Sequence, residues 1–227
     1  MKKIAAAILF VVLVFTLTAC NSGASPEEYE GPIEADEYDD NSSDDVLIED
    51  QCPFERQGET THIVIHFISN VIENRTDPFI IADILRIFQD YGVSAHYLID
   101  RDGTIHPVVP ENHVAFHAGQ GYLAGFPEYE DNLNQHSIGI ELLGIGTQEE
   151  MSQFLTAAEY NALDPSLIGF TDPQYAALNR LINEILARHP GIQPNRAHII
   201  GHSEYTPDKP DPGELFEWER LDFMNRL

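Results

Sequence analysis

The chain has 227 residues, with 12 Lys and Arg against 38 Asp and Glu, a formal charge of −26. That length suits one domain with tails, and the lack of a basic face argues against nucleic-acid binding. With 43% hydrophobic and 10% aromatic residues the chain can bury a core, which excludes wholesale disorder. Two cysteines cannot build a disulfide framework.

The amino end reads as an export signal. Lys2 and Lys3 precede an apolar run from Ile4 to Thr16, shorter than the roughly 20 residues a spanning helix needs. Leu17-Thr18-Ala19-Cys20 follows and resembles the bacterial lipobox. The resemblance implies cleavage before Cys20, lipidation of its sulfur, and a two-chain anchor that holds stably at a membrane. Residues 1–19 are thus a lipoprotein signal peptide. With Asn21 after the Cys, the expected location is extracytoplasmic, on a cell membrane or on an outer membrane.

Residues 21–50 hold 12 acids and no Lys or Arg. Such a stretch cannot offset its chain entropy by burial. The expectation is a disordered, self-repelling tether over 20–50, followed by one domain at 51–227. Cys52 has no intrachain partner once Cys20 is lipidated and reads as a lone thiol.

Within the domain, Thr61 to Ile68 is β-branched and apolar and predicts a strand. Asp77-Pro78 reads as the start of a helix that runs to about Tyr91 and stops at Gly92. Ala95 to Asp100 and Thr104 to Val109 read as a hairpin turning at Arg101-Asp102-Gly103. Ser137 to Leu142 is another strand. Met151 to Leu163 reads as helical, with Asp164-Pro165 ending a surface insertion. Thr171-Asp172-Pro173-Gln174 forms a capping box. Ala177, Leu178, Leu181, Ile182, Ile185 and Leu186 then recur at helical spacing. Ala197 to Ile200 predicts a short strand into Gly201-His202, and Glu214 to Leu227 a closing helix. The fold class is α/β: a single domain with a central mixed β-sheet flanked by helices.

Ten histidines stand against those 12 bases. His66 falls at the end of the first strand, on one face with His62 and Val64 by period two. His202 follows a strand directly, and Asp211 lies nine residues on. Two imidazoles and a carboxylate from strand ends and a loop can make a three-ligand zinc site with an open fourth position. Spacing alone leaves such a metal site undecided.

The segments Ile63-Val64-Ile65-His66, Ser94-Ala95-His96-Tyr97-Leu98-Ile99, Asp102-Gly103-Thr104-Ile105 and Ala115-Phe116-His117-Ala118-Gly119 come in order. Ser137-Ile138-Gly139-Ile140-Glu141-Leu142, Gly201-His202-Ser203-Glu204 and Lys209-Pro210-Asp211-Pro212-Gly213 follow. Together they resemble the type 2 N-acetylmuramoyl-L-alanine amidases, whose fold is shared with phage amidase lysozymes and peptidoglycan recognition proteins. The resemblance covers about 61–218. It implies Zn2+ held by His66, His202 and Asp211 at strand ends in a surface groove. It makes Glu141 the acid that assists the attacking water and Lys209 the base that stabilises the transition state. It places His117 against substrate, with His96 either a substrate-side or a core residue. Three departures stand out: Phe67-Ile68-Ser69 after the first ligand, Ala95 where phage members carry Tyr, and a His202–Asp211 loop one residue shorter than in some members. Ala95 together with Glu141 points to the Glu-using branch.

The implied activity is zinc-dependent hydrolysis of the bond between N-acetylmuramic acid and L-alanine in peptidoglycan or muropeptides. Two other readings stand beside it: a non-catalytic peptidoglycan-recognition module, and a zinc hydrolase of another amide. The expected partners are the muropeptide substrate and the anchoring membrane, with a monomer as the default state.

Overall fold

The first strand, β1, runs from His62 to Ile68 and is the spine of the molecule. The computed structural model describes residues 54–225, so the signal peptide, Cys20, the acidic tether and Cys52 lie outside the described residues. β1 pairs in parallel with β4 (Ser137–Leu143) on one side and with β5 (Ile199–Gly201) on the other. β2 (Tyr97–Ile99) joins β4 in parallel, and β3 (Ile105–Pro107) closes that edge antiparallel as the expected hairpin. The sheet order is β3-β2-β4-β1-β5, a mixed sheet as expected.

The period of two divides the sheet into two faces. Ile63, Ile65, Ile138, Ile140, Leu142 and Ile199 point to one face and pack under α3 (Asp172–Arg188). The helix meets them with Ala177, Leu178, Leu181, Ile182 and Ile185, the stripe legible in its sequence. Its capping box forms as expected, with Thr171 accepting from the Gln174 N–H. The buried Gln174 amide then donates to the carbonyls of Ile99 and Leu143, which ties the helix start to two strand ends. The opposite face carries α1 (Ile81–Tyr91) and the loops that build the site.

Three expected helices differ. α1 starts at Ile81, not Asp77. Asn74 Oδ1 takes the Asp77 N–H and the Pro78 carbonyl takes the Asn70 N–H, so residues 70–78 close on themselves as a loop. Its end is as expected, with Gly92 left-handed at φ 63°. Met151–Leu163 is mostly turns, and only Ala157–Asn161 forms a helix, α2. Thr156 caps it with Glu159, which restarts the chain after Met151 and Leu155 have buried themselves. Glu214 onward forms two single turns, Trp218–Arg220 and Asp222–Asn225. Phe216, Leu221 and Phe223 are the buried anchors, a spacing that one helix face cannot present. Asn179 on α3 clamps the strand-like link between these turns by bonding the Arg220 carbonyl and the Asp222 N–H.

The described residues begin with a segment sewn to the interior by one side chain. The Arg56 guanidinium donates to the carbonyls of Glu111, Asn134, His113 and Ser137 at 2.9–3.1 Å. Burial lowers its pKa to about 10.

Candidate active site

The site lies where β1 and β5 end. His66 is the fifth residue of β1, and His202 is the first residue beyond β5. Asp211 arrives on the loop after them. All three side chains are buried, Asp211 the most open at 9% exposure. His66 Nδ1 lies 2.7 Å from Asp211 Oδ2 and 3.1 Å from His202 Nδ1, and His202 Nδ1 lies 3.0 Å from the same carboxylate oxygen. The predicted trio is therefore brought together. Among the described residues it is the group of His, Cys, Asp and Glu that could hold a metal ion.

The hydrogen bonds on the far sides of the rings test whether the trio suits a cation. His202 Nε2 lies 3.0 Å from the Ala118 carbonyl, which can only accept. His202 therefore carries a hydrogen on Nε2, and a ring with that tautomer turns its Nδ1 lone pair inward. That lone pair meets the Asp211 carboxylate and the His66 Nδ1. Three electron-rich atoms converge on one point, the arrangement a divalent ion neutralises. Burial would raise the Asp211 carboxyl, but the close polar contacts with His202 and His66 outweigh it and hold the group below the ordinary carboxylate range. Burial lowers His66, against the pull of Asp211, so its neutral ligating form is favoured.

Glu141 stands on β4 beside His66, because the parallel register pairs the two residues and turns both side chains to the same face. Its Oε2 is buried with no hydrogen-bond partner. Burial raises its pKa well above that of an ordinary carboxylate, the Asp211 charge raises it further, and Lys209 pulls it down. A proton carrier needs this kind of environment. Lys209 is exposed on the wall of a cleft of about 440 Å3, which Thr147, Glu150, Gln153, Asp208 and Glu214 also line. The Glu150 carboxylate holds two walls of that cleft together, accepting from the Thr147 and Glu214 N–H groups.

His117, expected at the substrate, is placed elsewhere, and His96 takes the core position of its two alternatives. His117 lies behind His66, with Nδ1 3.1 Å from His66 Nε2 and Nε2 3.2 Å from Ser137 Oγ. Both ring nitrogens are engaged inside the protein, which leaves neither for a substrate. His96 is deeper still, with no exposed surface. Its Nδ1 accepts from the Gly139 N–H, and its Nε2 faces the His113 carbonyl and Arg56. Burial and then the Arg56 charge push its pKa down to about 3, so it is a neutral core histidine. His62 is likewise structural: it stacks on His198 and meets the rings of Phe126 and Tyr129.

Other contributors carry weaker sequence signals. Gly139 sits mid-strand, and a Cβ there would lie 2.5 Å from His117 Cγ. A glycine inside a strand pattern flags such a close approach. Asn134 holds the 117–118 backbone, its Oδ1 accepting from both N–H groups. Neither Asn134 nor Arg56 stands out in the sequence, because their partners are distant main-chain groups.

Comparison with known proteins agrees with this geometry. Residues 56–214 match the model of the N-acetylmuramoyl-L-alanine amidase family. The 1,6-anhydro-N-acetylmuramyl-L-alanine amidase AmpD of Haemophilus influenzae is 34% identical over 171 residues, which is 70% of this chain and 78% of that protein. The enzyme of the same name from Escherichia coli is 35% identical over 154 residues, 67% of each chain. A crystal structure of an AmpD selenomethionine derivative superposes with a TM-score of 0.51 at 29% identity, covering 74% of this chain and 87% of that one. The Escherichia coli amidase AmiD, in complex with anhydro-N-acetylmuramic acid-L-Ala-D-gamma-Glu-L-Lys, superposes with a TM-score of 0.53 at 28% identity, covering 73% of this chain and 58% of that one. With a buried His-His-Asp cluster, a desolvated glutamate beside it and a family match over most of its length, this chain belongs to the N-acetylmuramoyl-L-alanine amidase family.

Proposed function

We propose that this chain hydrolyses the amide bond between N-acetylmuramic acid and L-alanine with zinc held by His66, His202 and Asp211. The observation that carries the reading is the convergence of those three ligand atoms beside Glu141, whose Oε2 is buried and unpartnered. Two nitrogens and one carboxylate oxygen suit Zn2+ and leave a fourth position open. A zinc ion bound there supplies Lewis acidity to water and to the scissile carbonyl.

The chain's own residues do the rest. Glu141 takes a proton from the attacking water and delivers it to the departing alanine nitrogen. Its raised pKa suits both halves, since the proton must be held and then released. The Lys209 charge acts on both Glu141 and His66, which suits it to offset the negative charge that develops on the tetrahedral carbon's oxygen. Asp211, ionised between two imidazoles, brings the negative ligand of the loop to the strand ends.

Two finer assignments belong to the same proposal. The AmpD relatives are named for 1,6-anhydro-N-acetylmuramyl-L-alanine, so anhydro-muropeptides are the first substrates to offer. The sequence Leu17-Thr18-Ala19-Cys20 behind Lys2, Lys3 and an apolar run supports lipid anchoring on the outer side of a membrane. Among the described residues no helix is long and apolar enough to cross one.

The test is release of L-alanine amino groups by the full chain. Anhydro-muropeptide and intact peptidoglycan are each incubated with enzyme, with and without a zinc chelator. Release that the chelator abolishes and added zinc restores is the expected result. No release from either substrate by zinc-loaded protein would reject the assignment.

A further inference from the structure

Both histidines of the trio present Nδ1 to the cluster and turn Nε2 to the same two residues, 117 and 118. His202 reaches the Ala118 carbonyl, and His66 reaches the His117 ring. The direction of the second contact follows from the far end of its chain. Ser137 Oγ lies 2.7 Å from the Leu133 carbonyl, which only accepts, so the hydroxyl hydrogen is spent there. Ser137 Oγ is then left to accept from His117 Nε2, 3.2 Å away. A neutral His117 with its hydrogen on Nε2 carries a lone pair on Nδ1. That lone pair accepts from His66 Nε2, and the remaining lone pair of His66, on Nδ1, points at Asp211 and His202. Every donor in the series has an acceptor, and the polarity runs one way.

We propose that His117 and Ser137 are positioning residues that fix His66 in the tautomer that ligates through Nδ1. The segment is itself immobilised. Asn134 Oδ1 accepts from the N–H groups of His117 and Ala118, and Gly139 lets the His117 ring lie on β4. One short loop thus orients both histidines of the trio, through a side chain in one case and a carbonyl in the other. Partners of this kind hold the ring direction and raise ligand basicity, and their loss weakens metal affinity roughly 10- to 100-fold.

The inference rests on the reading of His66, His202 and Asp211 as a metal site, so the test has a readout that needs no metal. Zinc affinity of the full chain is measured by competition with a chelator for wild type, His117→Phe, His117→Asn and Ser137→Ala. The His66 tautomer is read separately from long-range nitrogen–proton NMR correlations in the zinc-free protein. Wild type is expected to show His66 with its hydrogen on Nε2. His117→Phe is expected to bind zinc roughly 10- to 100-fold more weakly and to show mixed tautomers. His117→Asn, whose amide oxygen can accept from His66 Nε2, is expected to recover most of the affinity. Ser137→Ala falls between them. Wild-type affinity in folded His117→Phe, no recovery in folded His117→Asn, or His66 with its hydrogen on Nδ1 would each overturn the proposal. If His117→Phe does not fold, the Asn and Ala variants decide. If wild type binds no zinc, the metal reading fails and the tautomer still decides this one.

Discussion

Glu141 stands directly opposite His66 in the parallel pairing of β4 with β1, on the face away from α3. Strand register alone brings the proton carrier to the metal ligand, with no loop needed to place it. A two-residue slip of β4 would separate them without exposing the apolar face. Ile138, Ile140 and Leu142 buried against α3 fix the parity of the strand, and the His117 ring over Gly139 fixes its position.

Glu141→Gln keeps the shape of the side chain and removes its proton traffic. Turnover of anhydro-muropeptide is expected to fall about 10²- to 10⁴-fold, with zinc content unchanged by elemental analysis. Wild-type turnover in this variant would remove Glu141 from the mechanism.

Metal removal should be felt in stability as well as rate. Without a cation, the lone pairs of His66 and His202 face the Asp211 carboxylate at 2.7 and 3.0 Å. Zinc at a thousandfold excess over its Kd stabilises the folded state by about 4 kcal/mol, which raises the melting temperature by roughly 10 °C for a domain of this size. Thermal melts with zinc and with chelator measure the shift. Asp211→Asn and His66→Ala should each lose most of it, and an equal shift in either variant would count against that ligand.

Gly139→Ala tests the packing of the His117 ring. The added Cβ would sit 2.5–2.8 Å from three ring atoms of His117. The strand cannot retreat, because β2 and β1 hold β4 on both sides. A loss of about 1–3 kcal/mol is expected from overpacking, together with weaker zinc binding as His117 is pushed off its partner. Denaturant unfolding and zinc titration measure the two effects. Weaker stability with unchanged zinc affinity would mean that the ring's position does not matter to the metal.

Acid should weaken the fold through buried imidazoles far from the metal. Burial, and then the neighbouring His198, push the pKa of His62 down to about 4. Between pH 6.5 and about 4 the unfolded chain binds a proton that folded His62 refuses. Stability is therefore full above pH 6.5 and falls as pH drops toward 4. The loss is at most about 1.4 kcal/mol per pH unit for this imidazole. Urea unfolding of the zinc-free protein at pH 7 and pH 5.5 measures the slope, and His62→Leu should flatten it. Identical slopes would place the acid sensitivity elsewhere.

The parts of this molecule that were legible in sequence are those encoded by local pattern. The alternation in β1 and the stripe on α3 could be read directly, as could Gly92 and the Thr171 capping box. His66, His202 and Asp211 were suggestive as residue types and became a set only through resemblance over seven motifs. The misread elements are those where tertiary partners outweigh local signals. Asp77-Pro78 looks like a helix start, yet Asn74 and Asn70 use its main-chain groups to close a loop. The last segment has helix-forming residues, yet Phe216, Leu221 and Phe223 pull it into single turns. The motif points His117 toward the substrate, because a motif fixes which residue recurs and not which way its ring faces. The role of Arg56 had no sequence signal, since its acceptors are carbonyls 55 to 81 residues away.

That last side chain gives the domain a sharp trimming threshold. Proteolysis that passes Arg56 takes away the guanidinium that four main-chain carbonyls share, two of them on Asn134 and Ser137, which also hold His117. A peptidase working inward from the amino end would unsettle the supports of His117 once it passed Arg56, without cutting any of the three cluster residues.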